Sequence, residues 1–320
     1  TPPNFPIGAS TRELGMNTNR AEYLPHEGVM MEEISSILKD VPGGNFVDAT
    51  YGYGSHFNLF NNFKHLKTVG FDRDLESVKN SKNEHNVFHL NFSEIYYFLA
   101  KNNYLPLSGV FYDFGLSSHQ IDSDYRGFSF QKNTNLDMRM NTKQELTAEI
   151  ILNNYSVKEL TSILKNYSED KYSKKIAIKI VESRPLTTTN ELVHVIREAV
   201  PKQNPIFTDK TIRRIFQALR IEVNNELNEI RNSLNLIKDS INKKGILVCI
   251  SYHSLEDRIV KKFFNEITRF CICEPRIPIC ICDTEQQFMY PKKKKYTPSD
   301  KEKESNPRSK SAIMRYVVKL

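Results

Sequence analysis

Four short apolar runs, each separated from the next by helical or turn-rich sequence, constrain this chain more than any other feature. They are Phe46–Thr50, Thr68–Phe71, Val87–Leu90 and Val110–Phe114. Runs of this length bounded by turn residues read as strands buried on both faces, and their alternation with helices implies parallel strands joined by crossovers. The expected fold class is α/β, a doubly wound Rossmann-like sheet. The rhythm then breaks. The next buried strand is Ile246–Tyr252, preceded by Lys243-Lys244-Gly245, so about 130 residues separate it from Gly115. One crossover needs only about a dozen. Most of that stretch has helical spacing: Leu160, Ile163, Leu164 and Tyr167; Ile176 and Ile180; Leu192, Val195, Ile196 and Ala199. A helical subdomain inserted between the fourth and fifth strands accounts for it. A helix over Thr211–Leu236 is expected to return the chain to the sheet, and Met314–Lys319 reads as a last strand.

Composition narrows the class. No apolar run approaches the roughly 18 residues of a membrane span, so no membrane partner is expected. Five cysteines do not make a disulfide scaffold in a chain of 320 residues. The net charge of +7 lies wholly in Pro291–Leu320, with ten Lys or Arg against three Asp or Glu. A basic tail on a neutral body suits an anionic partner such as nucleic acid, or is a solvated, disordered extension.

Two constellations carry chemistry. The first is Asp48-Ala49-Thr50-Tyr51-Gly52-Tyr53-Gly54-Ser55-His56, an acid at a strand end, a glycine turn and a helix start. Glycines there let the backbone approach a ligand, and the helix start offers free N–H groups. Asp72, at the end of the second strand and 24 residues after Asp48, is placed to hold the two ribose hydroxyls of an adenosine cofactor. The third glycine of the dinucleotide fingerprint is missing, which argues against a dehydrogenase, and no Lys-Ser/Thr pair serves a triphosphate. An adenosine ligand without pyrophosphate fits better; by analogy with other sheets of this kind, that ligand is S-adenosylmethionine.

The second constellation is longer. Tyr112-Asp113-Phe114-Gly115-Leu116-Ser117-Ser118-His119-Gln120-Ile121-Asp122 leads into Arg126-Gly127-Phe128-Ser129-Phe130 and Leu136-Asp137-Met138-Arg139-Met140. Phe216–Leu227, Ser251–Arg258 and Asn306–Ala312 follow. In these motifs, and in their order from about Pro25 to the C-terminus, the chain resembles the methyltransferase H family of small-subunit ribosomal RNA. Three departures stand out: Ser55 where a glycine is common, Tyr167-Ser168-Glu169-Asp170 for Tyr-Gly-Glu-Glu, and Tyr252 for Phe. Ser55 keeps the loop usable unless its position needs positive φ.

The resemblance implies transfer of a methyl group from S-adenosylmethionine to N4 of a cytidine in the decoding region, with small-subunit ribosomal RNA or the small subunit as partner. It implies cofactor contacts at Gly52, Gly54, Ser55, His56, Asp72, Phe92, Asp113 and Gln120. Phe92, against adenine in this reading, is core on sequence grounds alone. Catalytic candidates are Asp113 and His253, while Ser254-Leu255-Glu256-Asp257 also reads as a helix cap on Ser254 with an acidic third residue. The chain divides into a leader (1–21), a discontinuous methyltransferase domain (22–125 and 215–320) and a helical substrate-recognition insert (126–214). Arg126, Arg139, Arg213, Arg214 and Arg220, interleaved with Phe128, Phe130 and Phe216, offer RNA contacts or structural ion pairs. A different RNA or a protein amine as acceptor, or a non-catalytic ribosome-assembly factor on the same fold, are the competing readings. Cys271, Cys273, Cys280 and Cys282 could bind zinc, but the Cys-x-Cys pairs are tighter than usual zinc spacing, and no metal is assigned. A start at Thr1 and the leader point to the mitochondrial matrix in a eukaryote; a bacterial protein would work in the cytoplasm.

Overall fold

The computed structural model describes residues 28–117, 120, 125–201, 205–271, 273, 282 and 285–320. The expected leader, together with Ser118, His119, Ile121, Asp122 and Cys280, lies outside the described residues.

A seven-stranded sheet organises the chain. Its strands are β1 (Gly44–Asp48), β2 (Leu66–Asp72), β3 (Val87–His89), β4 (Leu107–Asp113), β5 (Ile241–Ser251), β6 (Phe288–Met289) and β7 (Ile313–Lys319). Their spatial order is β3-β2-β1-β4-β5-β7-β6. The first five are parallel, and β7 runs antiparallel between β5 and β6. The apolar runs alternate between faces. Phe46, Phe111, Ile246, Val248 and Ile250 pack on one side with α1 (Met31–Leu38) and α2 (Ser55–Asn61). Val47, Val110, Tyr112, Leu247 and Cys249 pack on the other. There they meet α4 (Phe92–Lys101), which follows the short α3 (Leu75–Lys79). Strands buried on both faces need such continuous apolar runs, which is why the sheet was readable.

Between β4 and β5 come α5 (Ala148–Asn154), α6 (Val157–Ser168), α7 (Ser173–Glu182), α8 (Thr189–Ala199), α9 (Pro205–Asn224) and α10 (Glu226–Ile237). The first five surround their own apolar cluster, which extends from Leu136 to Val223. The single expected helix over Thr211–Leu236 is in fact two. Asn225 sits at φ 49°, a left-handed turn that Asn tolerates, and breaks the helix. Before the break, Ile212, Ile215 and Leu219 serve the insert's cluster; after it, Ile230, Leu234 and Ile237 pack on the sheet. Asn224 holds the junction: its side chain accepts from Met140 N–H and donates to the Met138 and Arg220 carbonyls.

Two further expectations need correction. Strand β5 begins at Ile241, and Lys243-Lys244-Gly245 is an irregularity inside it, with Lys244 at φ 63°. The basic C-terminal segment is folded rather than a disordered extension. It forms α12 (Asp300–Ser305), a 3₁₀ turn (Pro307–Ser311) and β7. Arg315 is buried in a two-point ion pair with Asp257 of α11 (Ser254–Ile267), at 2.7 and 3.0 Å. Among the described residues, no helix is long and apolar enough to cross a membrane.

Candidate active site

Strand order reverses between β1 and β4, and open α/β sheets bind ligands outside the carboxyl ends of the strands at such a point. A cavity of about 360 Å³ opens there, a size suited to one nucleoside-type ligand.

Strand-end acids hold the turns that line the cavity, and two of them, Asp72 and Asp113, line it themselves. The Asp48 carboxylate accepts from Thr50 N–H at 3.0 Å, and Thr50 Oγ1 accepts from Asp113 N–H at 2.7 Å, tying the β1 turn to the end of β4. Gly52, at φ 54°, donates its N–H to Asp72 Oδ2 at 2.7 Å; Asp74 N–H donates to Oδ1 at 2.8 Å. Gly54, at φ 78°, caps α2, and a Cβ there would stand 2.7 Å from the Tyr51 hydroxyl. Ser55 is the first helical residue and keeps an ordinary backbone, so its replacement of a glycine costs the loop nothing.

Gly52, Ser55, His56, Asp72, Phe92, Asp113 and Gln120 all line this cavity. Gly54 stands behind it, shaping the turn. Phe92 opens α4 and, with Phe114 and Ile230, forms an apolar wall. The Gln120 amide is engaged by protein: it donates to Asp74 at 2.9 Å and accepts from Ser117 N–H at 3.1 Å, which fixes the β4 turn. His253 is not among the lining residues. It caps α11, accepting from Glu256 N–H through Nδ1. The cap expected at Ser254 is therefore shifted by one residue, and Asp257 is free to meet Arg315.

Several lining residues were not foreseen. Tyr252 donates its hydroxyl to Asp113. Glu256 is fully buried (0 % exposed); Oε2 accepts from Tyr252 N–H at 2.8 Å, while Oε1 lies 2.9 Å from His253 Nε2 and 3.8 Å from the Arg220 guanidinium. Arg220 pairs with Glu226 at 2.8 Å through two nitrogens, and Asn306 and Arg308 reach the cavity from the C-terminal segment. Glu256 was overlooked because a cap at Ser254 makes Asp257 the capping acid, whereas the cap is His253 and its acid three residues on is Glu256.

Of the arginines read as RNA contacts or structural ion pairs, most are structural. Arg126 is fully buried, bonded to Asp74 and to the Arg139 and Met140 carbonyls. Arg139 pairs with Asp137. Burying a guanidinium requires such partners, and long-range ones are invisible in sequence. Arg213 and Arg214 alone of that set are exposed, with Arg213 over the Phe130 ring.

Burial shapes the electrostatics. It pushes the Asp72 carboxyl up to about 6, against the pull of the Asp74 and Gly52 N–H groups. Asp113 is also raised by burial and drawn back by the His56 ring, Gly115 N–H and Tyr252. Among the described residues no Lys or Arg bonds to either carboxylate, an environment that suits a cationic ligand centre. Asp48 is pushed up to about 8, chiefly by burial, and its Oδ2 has no partner. Because the folded form binds this proton more tightly, its contribution to stability is complete below about pH 4 and is lost as pH rises towards 8. Thermal unfolding of Asp48→Asn should therefore show a smaller fall in Tm between about pH 6 and about pH 9 than the wild-type protein. Parallel curves would show that Asp48 ionises normally.

A parallel sheet with one antiparallel strand next to its edge, and a cavity lined by Asp72, Asp113 and Phe92 at its switch point, have the form of a Rossmann-like methyltransferase. Residues 23–320 match the MraW methylase family. The chain is 40% identical over 310 residues to ribosomal RNA small subunit methyltransferase H of Halothermothrix orenii, covering 93% of this chain and 99% of that protein. The like-named protein of Clostridium botulinum strain 657 is 41% identical over 306 residues, covering 92% and 99%. That of Clostridioides difficile is 40% identical over 309 residues, again covering 92% and 99%. The chain belongs to the MraW methylase family.

Proposed function

We propose that this protein transfers the methyl group of S-adenosylmethionine to N4 of a cytidine in small-subunit ribosomal RNA. The observation that carries the reading is Asp113, a carboxylate at the switch point that has no Lys or Arg partner among the described residues and shares the cavity with Asp72. When bound, the cofactor would supply an electrophilic methyl group. Asp72 would hold its ribose hydroxyls, and Phe92, Phe114 and Ile230 its base.

The chain's own part is to make a poor nucleophile usable. The cytosine amine is conjugated with the ring, so its lone pair must be freed and aimed. Asp113 can accept an N–H of that amine, favouring the pyramidal form, and Tyr252 and Gly115 N–H keep the carboxylate oriented. The amine must also lose a proton. His56 Nε2 lies 2.9 Å from the Val29 carbonyl, which can only accept, so Nε2 carries hydrogen. In the neutral ring Nδ1, 3.8 Å from Asp113 Oδ2, is then the nitrogen without hydrogen and can receive the proton that Asp113 collects.

A base can reach this depth only out of its stack. Tyr53, 45 % exposed at the cavity, offers a ring for it. Lys292–Lys295 are exposed on the folded C-terminal segment and supply phosphate contacts. Changing all four to Ala should weaken RNA binding and flatten its salt dependence by roughly 0.7 of a slope unit per lysine that meets a single-stranded phosphate. Cofactor affinity should not change, since none of the four lines the cavity. An unaltered salt slope would leave recognition to the helical insert.

The test of the whole reading is calorimetry with S-adenosylmethionine, followed by labelled methyl transfer to unmodified small subunits and their RNA. Binding with transfer to cytidine is expected. Binding without transfer would instead make the protein an assembly factor.

A further inference from the structure

We propose that Cys271, Cys273 and Cys282 form a zinc site that closes the base of the loop between α11 and β6. The Sγ atoms of Cys271 and Cys282 are 3.8 Å apart, and all three lie within 4.8 Å of one another. At a Zn–S bond of about 2.3 Å, two thiolates at tetrahedral corners stand ~3.8 Å apart. A disulfide requires about 2.05 Å, so the sulfurs are not poised for a covalent bridge. An iron–sulfur cluster spreads its cysteines over several irons and needs wider separations than a single ion.

The position gives the site a purpose. Cys271 and Cys273 lie on the chain leaving α11, and Cys282 on the chain approaching β6. Phe270, adjacent to Cys271, is 76 % exposed and adds no apolar anchor there. The three cysteines are partly exposed and stand apart from the active-site cavity, so an ion can enter without disturbing it. Cys249, by contrast, is buried in β5 and takes no part. Each thiol gives up its proton on binding, and no redox change is involved. A fourth donor completes the tetrahedron; Cys280 lies outside the described residues and is no part of the proposal.

The test uses the full chain, purified under reducing conditions without chelator, reconstituted with zinc alone and desalted. Elemental analysis should find about one tightly held zinc per chain and negligible iron. Cys271→Ser and Cys282→Ser should lose it, while Cys249→Ala keeps it. Alkylation followed by peptide mass spectrometry of the wild-type protein provides a readout that does not depend on the variants folding. Cys271, Cys273 and Cys282 should be protected with zinc and modified after chelation. Zinc well below stoichiometry, iron in its place, equal alkylation in both states, or retention of zinc by both serine variants would overturn the proposal.

Discussion

Replacing Asp113 with Ala should lower turnover by about 10²- to 10³-fold, the loss typical of removing one preorganised hydrogen-bonding group from a reacting centre. The side chain ends β4 at the switch point, and three groups converge on it: Gly115 N–H at 3.0 Å, the Tyr252 hydroxyl and, at 3.8 Å, His56 Nδ1. Such convergence is more than a surface acid requires. Asp113→Asn keeps the shape and an acceptor for Gly115 but cannot take a proton, so it should show most of the same loss. The pH profile gives a second readout. Burial raises this carboxyl, so activity should rise with pH through a limb above the ordinary carboxylate range, and the Asn variant should lose that limb. Near-normal methylation by either variant, with the fold intact by circular dichroism, would remove Asp113 from the chemistry.

Asp72→Ala should weaken S-adenosylmethionine binding at least tenfold, about 1.4 kcal/mol, measured by calorimetry. Two ribose hydroxyls would lose a charged acceptor. The Gly52 and Asp74 N–H groups would lose the same partner, so the loop that approaches the ligand would slacken as well. Charge matters here as well as shape. With the carboxyl pushed up to about 6, wild-type affinity should be steady above that pH and decline below it as the acceptor becomes protonated. An unchanged dissociation constant in a folded variant would sink the ribose assignment.

What could be read from the residues, and what could not, follows from the range of the interactions. The sheet was legible because β1, β2 and β4 are short, apolar and buried, and because acids mark their ends. The place of Asp72 at the cavity was legible because its distance from the glycine loop is set by one helix and one strand. The break at Asn225 was hidden, since the helical spacing continues across it while the chain changes cores. Arg126 could be read as an RNA contact or an ion pair because its partner Asp74 is 52 residues away. Tyr252 and Glu256 escaped for the same reason: their neighbours Asp113 and Arg220 arrive from other elements. The charge of the C-terminal segment was countable, yet the pairing of β7 with β5 that orders it was not.

Nucleoside mass spectrometry of small-subunit ribosomal RNA, from source cells with and without this protein, tests the central claim most directly. The expected result is N4-methylated cytidine at a single site, lost when the protein is removed and restored by the wild-type chain but not by Asp113→Asn. An N4-methylcytidine signal that is unchanged by removing the protein would contradict the account.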